Sequence, residues 1–90
     1  MGDVTDRVAS RVRRDFPDPG SAEDLIRRLA TADAGERVQA AVVLWAGGDL
    51  RRFNDSLELA SRDWRDVLVR GGLETEDWPE RLDAELGPGA

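Results

Sequence analysis

The chain has 90 residues, 40% of them apolar, no cysteine and a formal net charge of −6. A chain this short buries roughly 60–65% of its unfolded surface, enough for one modest core and no second one. Disulfides and thiolate metal sites are excluded, and the longest apolar run, the seven residues Ala40–Ala46, falls far short of the ~20 a membrane-spanning helix needs.

The charge is unevenly placed. Residues 1–20 balance four Arg against four Asp, residues 21–70 sum to −1, and residues 71–90 sum to −5. An acidic last fifth disfavours general affinity for nucleic acid or anionic membranes, which need a cationic face. Every cation is Arg, with no Lys, His or Tyr in the chain. Codon bias in a G+C-rich bacterial genome accounts for that usage more simply than selection for arginine chemistry. The opening residues, MGDVTDRVAS, lack a basic start followed by an apolar stretch, so the expected location is the cytoplasm.

Val4, Val8 and Val12 recur every fourth residue with Phe16 in step, which predicts an amphipathic helix over 4–15 with Asp3 as its cap. Pro17 ends it. Asp18-Pro19-Gly20-Ser21 reads as a tight turn, after which Ser21 and Asp24 form a capping pair for a second helix. That helix buries Leu25, Ile26, Leu29 and Ala30, and Glu23→Arg27 and Asp24→Arg28 are favourable i,i+4 pairs on its outer face. Asp33 and Glu36 repeat the capping arrangement ahead of a third helix.

That third helix contains VQAAVVLWA, Val38–Ala46, where only Gln39 is polar. At 100° per residue its apolar side chains point in every direction, so it must be wrapped on all sides. Gly47-Gly48 stops it, and Asp49 caps the next. There Leu50, Phe53, Leu57, Ala60, Trp64 and Val67 run at alternating spacings of 3 and 4. One continuous coiled-coil-like helix would fit, but Asp63 and Asp66 form another capping pair, which predicts a break near 61–63. Gly71-Gly72 closes the short helix that follows, with Leu73 folded back onto it. Asp77-Trp78-Pro79-Glu80 opens a last helix carrying Trp78, Leu82 and Leu86, with Pro79 acceptable in its first turn. No alternating segment flanked by hairpin turns is present. The expected fold is all-α: a compact orthogonal bundle of five or six short helices around one central buried helix. It forms a single domain over 1–90, frayed at 1–3 and 87–90.

Without His, Cys, Lys or Tyr, the acid–base groups are carboxylates and the nucleophiles are Ser, Thr and carboxylates. No catalytic, cofactor or metal residue is therefore assigned. Glu74, Glu76, Asp77 and Glu80 are the nearest approach to a divalent-ion site, but they read more simply as a solvated acidic surface near a helix N-terminus. Arg7, Arg11, Arg13 and Arg14 stripe the first helix and are the candidate nucleic-acid contacts. The two helices joined at Gly47-Gly48 suggest a helix-turn-helix, yet the would-be recognition segment Asp49–Arg62 has zero net charge.

The three tryptophans are the best remaining signal. Trp45 belongs to the core. Trp64 and Trp78 each start a helix, where they serve either as core staples or as exposed anchors; for Trp64 the core is the simpler expectation. Arg65 and Arg70 flank Trp64 and can reach a partner carboxylate, with Asp66→Arg70 as the internal alternative.

The segments Q-A-A-V at Gln39–Val42, G-D-L at Gly48–Leu50 and L-A-S-R-D-W-R-D-V-L-V at Leu59–Val69 carry a resemblance. With G-L at Gly72–Leu73 and D-W-P-x-R-L at Asp77–Leu82, the chain from Glu36 to Leu86 resembles a family of small uncharacterised bacterial all-helical proteins. The resemblance implies a compact helical domain and supports the break before Trp64. It implies no reaction, ligand or catalytic residue. The functional expectation is a non-enzymatic protein–protein interaction or accessory module that pairs with another protein or with itself as a homodimer. Phe53, Trp64, Arg65 and Trp78 are its candidate contacts. The alternatives are a nucleic-acid-associated regulator using the Arg stripe, and a small carboxylate-dependent enzyme or metal binder. No cofactor is expected.

Overall fold

The computed structural model describes residues 3–32 and 34–87. They form six helices and no strand: α1 (Asp6–Asp15), α2 (Pro19–Thr31), α3 (Glu36–Ala46), α4 (Leu50–Arg62), α5 (Trp64–Gly71) and α6 (Trp78–Leu86). The chain is thus an all-α bundle, with the α4–α5 break where the sequence predicts it. The expected fraying at 1–2 and 88–90 and the capping role of Asp33 lie outside the described residues. Asp3 and Gly87, also expected to fray, are tied in: Gln39 Nε2 donates to Asp3 O and Arg7 Nη1 to Gly87 O.

Helix starts differ from the sequence reading in instructive ways. α2 begins at Pro19, and Asp18 caps it, accepting from the backbone N–H (3.0 Å) and hydroxyl (2.8 Å) of Ser21. Proline suits the first helical position because its φ is already helical and the N–H it lacks would have had no partner there. Asp18-Pro19 is therefore a cap and first residue, not a turn, and Ser21 sits inside the helix. The hydrogen bonds to Ser21 hold the Asp18 carboxyl below the usual carboxylate range. Asp49 caps α4 as expected, accepting from Arg52 N–H. Asp63 makes no side-chain cap for α5; instead its own N–H closes α4 on Leu59 O, 2.6 Å. Nor does Asp3 cap α1, which starts behind Thr5.

α3 is the centre of the packing. It lies against α5 and α4 most extensively and also against α1 and α6. Gln39, Ala40, Ala41, Val42, Val43 and Ala46 are all buried, and Val43 is 0% exposed. Around them lie Val8 and Val12 of α1, Leu25 and Leu29 of α2, Phe53 of α4, Val67 and Leu68 of α5, Leu73, and Leu82 of α6. The enclosure is not complete, however. Val38, Leu44 and Trp45 are only partly buried, so the ends of the apolar run reach the rim of the bundle.

Two adjacent glycines do separate jobs. Gly72 takes a left-handed φ of 74° and closes α5, with its N–H bonded to Val69 O and that of Leu73 to Leu68 O. This is the paired C-terminal closure that glycine permits, and it turns Leu73 back beside Leu68 into the core. Gly71 is instead a packing residue. A Cβ there would lie 2.5 Å from Ala41 Cα and 2.8 Å from Ala41 O, so α5 crosses α3 backbone to backbone.

Inside the core, Gln39 Nε2 donates to Ala34 O (2.9 Å) and Asp3 O (3.3 Å). The single polar residue of the apolar run thus fastens the N-terminal strap and the α2–α3 connection to α3. Its Oε1 and the buried hydroxyl of Ser56 have no hydrogen-bond partner among the described residues.

Candidate functional site

The Arg stripe of α1 is largely engaged inside the molecule. Arg7 grips Glu36 with two parallel bonds, Nε to Oε2 at 2.9 Å and Nη2 to Oε1 at 2.8 Å. Its Nη1 donates to Asp83 (2.6 Å) and to Gly87 O. Thr5 Oγ1 donates to the same Glu36 carboxylate at 2.6 Å. These partners push the Arg7 pKa up and hold Glu36 below its ordinary value against the opposing effect of burial. Arg11 bonds Asp15 and the Glu85 carbonyl. Arg13 pairs with Glu23 across the α1–α2 turn, which depresses the Glu23 pKa. The expected pairs of Glu23 with Arg27 and Asp24 with Arg28 do not form among the described residues; Arg28 donates to Asn54 instead. Of the four stripe residues, only Arg14 has no such partner among the described residues.

The four expected interaction residues separate into two groups. Phe53 is 0% exposed and meets the Phe16 ring edge-on at 5.8 Å, so it is core and no contact residue. Trp78 is half-buried, with the Arg37 guanidinium 5.1 Å from its ring and Arg37 Nε bonded to Leu73 O. It staples α6 to the bundle. Trp64 and Arg65 do come together at the surface. Trp64 is 49% exposed, with the Arg65 guanidinium 5.3 Å from its ring. The expectation that Trp64 is core is overturned, because it stands at the first position of α5, beyond the stretch where Val67, Leu68 and Gly71 seat that helix on α3.

An apolar groove opens beside Trp64. It has a volume of about 260 Å³, and its lining includes Ala32, Ala34, Gly35, Val38, Ser61 and Trp64. The small side chains of the α2–α3 connection leave the space, and Trp64 forms one wall. On its other side, α5 presents Val69, 60% exposed, one turn beyond Arg65. Past Val69, Arg70 and Arg52 lie 5.6 and 5.1 Å from the ring of half-buried Trp45. Trp45 is therefore a rim residue with two guanidiniums close to its ring, not an enclosed one. Cations over tryptophan faces are attracted by the ring quadrupole. None of Arg52, Arg65 and Arg70 has a carboxylate partner among the described residues, and the Asp66–Arg70 pair is not formed.

Sequence reasoning missed Val69, Arg52 and the outward side of Trp45. Helical phase could have found Val69: at 100° per residue it falls outside the arc set by Val67, Leu68 and Gly71. Arg52 has no such signal, because its place over Trp45 depends on how α4 turns back after Gly47-Gly48.

A second cleft, about 540 Å³, lies between α5 and α6 and is lined by Arg11, Leu44, Gly71, Arg81 and Glu85 among others. Its guanidiniums are already held, Arg11 by Asp15 and Glu85 O, Arg81 by Asp77 and Gly72 O. Among the described residues, no three His, Cys, Asp or Glu side chains are grouped to hold a metal ion, and no helix is long and apolar enough to cross a membrane. Comparisons with family models, curated proteins and solved structures find no match.

Proposed function

We propose that the chain is a non-enzymatic interaction module that meets a protein partner through the Trp64 face. The observation that supports this reading is Trp64 itself, half-exposed between an open apolar groove and the Arg65–Val69 side of α5. Tryptophan and arginine are the residue types that dominate binding energy at interfaces, most of all when an apolar pocket lies beside them. The poverty of acid–base and nucleophilic groups in the sequence points the same way. The bacterial cytoplasm is the setting that goes with this reading, on the composition described above.

A photo-reactive benzoylphenylalanine in place of Trp64 tests it. The expected result is an adduct of one defined mass in cells. Excess wild-type protein competes it away, and the Trp64→Ala variant does not. A folded protein that gives no competable adduct at position 64 overturns the reading.

A further inference from the structure

We propose that α6 is a hinged lid, which opens and closes as one unit on a bundle that stays folded and is latched shut by arginines of α1. The lid and the Trp64 face share no residue, so each stands or falls without the other.

Each of α1 to α5 buries two or more residues, whereas the nine residues of α6 bury one, Leu82. Trp78 and Leu86, at its two ends, are partly buried, and the others are exposed. Polar contacts join it to the rest of the molecule. At its C-terminal end Arg7 Nη1 donates to Asp83 Oδ1 (2.6 Å) and Gly87 O (3.0 Å), and Arg11 Nη1 donates to Glu85 O (3.1 Å). Glu85 O is one of the last carbonyls of the helix, which have no partner within it. At the N-terminal end Arg81 Nη1 reaches back to Gly72 O (3.3 Å), and the Arg37 guanidinium lies 5.1 Å from the Trp78 ring.

The latch outlasts the opening. Arg7 is fixed to Glu36 of α3 through Nε and Nη2, so only Nη1 is committed to α6 and the guanidinium keeps its place when the helix leaves. The hinge is the exposed run Glu74–Asp77, between Leu73 anchored in the core and Trp78. Beneath the lid lies the cleft of about 540 Å³, with Leu44, Gly71 and Leu73 on the bundle side and Ala84 on α6. Opening widens it and uncovers Leu44 and Leu73. Asp83 is itself exposed, and ion pairs of that kind hold weakly. A segment with little buried apolar surface opens at a lower free energy than the whole domain. Nine residues are too few to keep a helix in water, so an undocked α6 melts and its amides meet solvent.

Hydrogen exchange of the folded chain, followed by NMR over a series of low denaturant concentrations, tests this. The amides from Arg81 to Gly87 are expected to share one protection level, about a hundredfold or more below that of α3. Their dependence on denaturant is expected to be shallow, because opening exposes little surface. Two substitutions separate the lid from global unfolding, and circular dichroism checks that both variants fold. Asp83→Asn removes the latch carboxylate and is expected to speed α6 exchange about two- to fivefold. Phe53→Leu loosens the core where Phe53 meets Phe16. It is expected to speed α3 exchange about tenfold and to leave α6 exchange unchanged, since the open-lid state keeps the Phe53 packing. Amides of α6 that match α3 in protection and denaturant slope overturn the lid, as do α6 amides that speed up with Phe53→Leu. Exchange graded inwards from Gly87, with the Leu82 amide as protected as α3, is end fraying and overturns it too. An Asp83→Asn chain with unchanged α6 exchange overturns the latch.

Discussion

Arginine does opposite things at two places in this molecule. Where α1, α3 and α6 meet, Arg7 is about 15% exposed and holds Glu36, Asp83 and a backbone carbonyl at once. On the α4–α5 side, Arg52, Arg65 and Arg70 lie over tryptophan rings with no acid to hold. The first arrangement joins distant parts of the chain, and its charge is consumed in doing so. The second leaves charge and aromatic surface displayed together. A stripe of arginines in the sequence therefore does not locate a contact surface; the acids that fold back onto it decide that. The stripe on α1 looked cationic along the chain, and in space three of its four arginines, Arg7, Arg11 and Arg13, hold acids.

The contrast can be broken or sharpened from several directions, beginning with the core both regions rest on. Gly71→Ala drives a Cβ into the Ala41 backbone, which neither helix can relieve by moving a side chain. Overpacking of this kind is expected to cost about 3 kcal/mol or more. The melting temperature then falls by about 12 °C or more, read by circular dichroism. Phe53→Ala is expected to cost about 3–5 kcal/mol in a denaturant titration, as for any buried phenylalanine. Trp64→Ala, by contrast, should change stability by less than about 1 kcal/mol, as for other exposed positions, while failing to compete for the adduct formed at position 64. A Trp64→Ala loss as large as that of Phe53→Ala would return Trp64 to the core.

The Arg7–Glu36 region makes a pH prediction of definite sign. The Arg7 hydrogen bonds lower the Glu36 pKa from its ordinary 4.5 in the folded state. Its stabilisation is therefore complete above that ordinary value and is lost as pH falls through the depressed folded one. Glu36→Gln should lower stability near neutral pH and flatten the decline of melting temperature below about pH 4.5. The smallest expected effect has the opposite sign. Ser56→Ala removes a buried hydroxyl without a partner, and stability is expected to rise by up to about 1 kcal/mol.

Much of the architecture could be read from residue order. The fourth-residue valines of α1, the greasy run of α3, the glycine stops and the α4–α5 break all arise from local spacing and capping chemistry, and the helices follow them. Position within the bundle could not be read in the same way. Leu50 and Trp64 belong to the same 3–4 stripe as Phe53 and Val67, yet Leu50 is 52% exposed and Trp64 49%. Each stands at the first position of its helix, Leu50 in α4 and Trp64 in α5. The groove beside Trp64 depends on Ala32, Ala34 and Gly35 being small on a different segment, a coincidence in space that no periodicity records. The capping errors have a local cause: Asp18 and Ser21 both fit an N-cap, and only Pro19's fitness for the first turn separates them.

The most direct single measurement is acrylamide quenching of Trp64 fluorescence in a Trp45→Phe/Trp78→Phe background, read on the dilute folded protein and on the chain unfolded in denaturant. Trp64 is expected to be readily quenched in the folded protein, because half of it is open to solvent. A Trp64 shielded in the folded protein at every dilution and exposed only on unfolding would contradict its display at the surface.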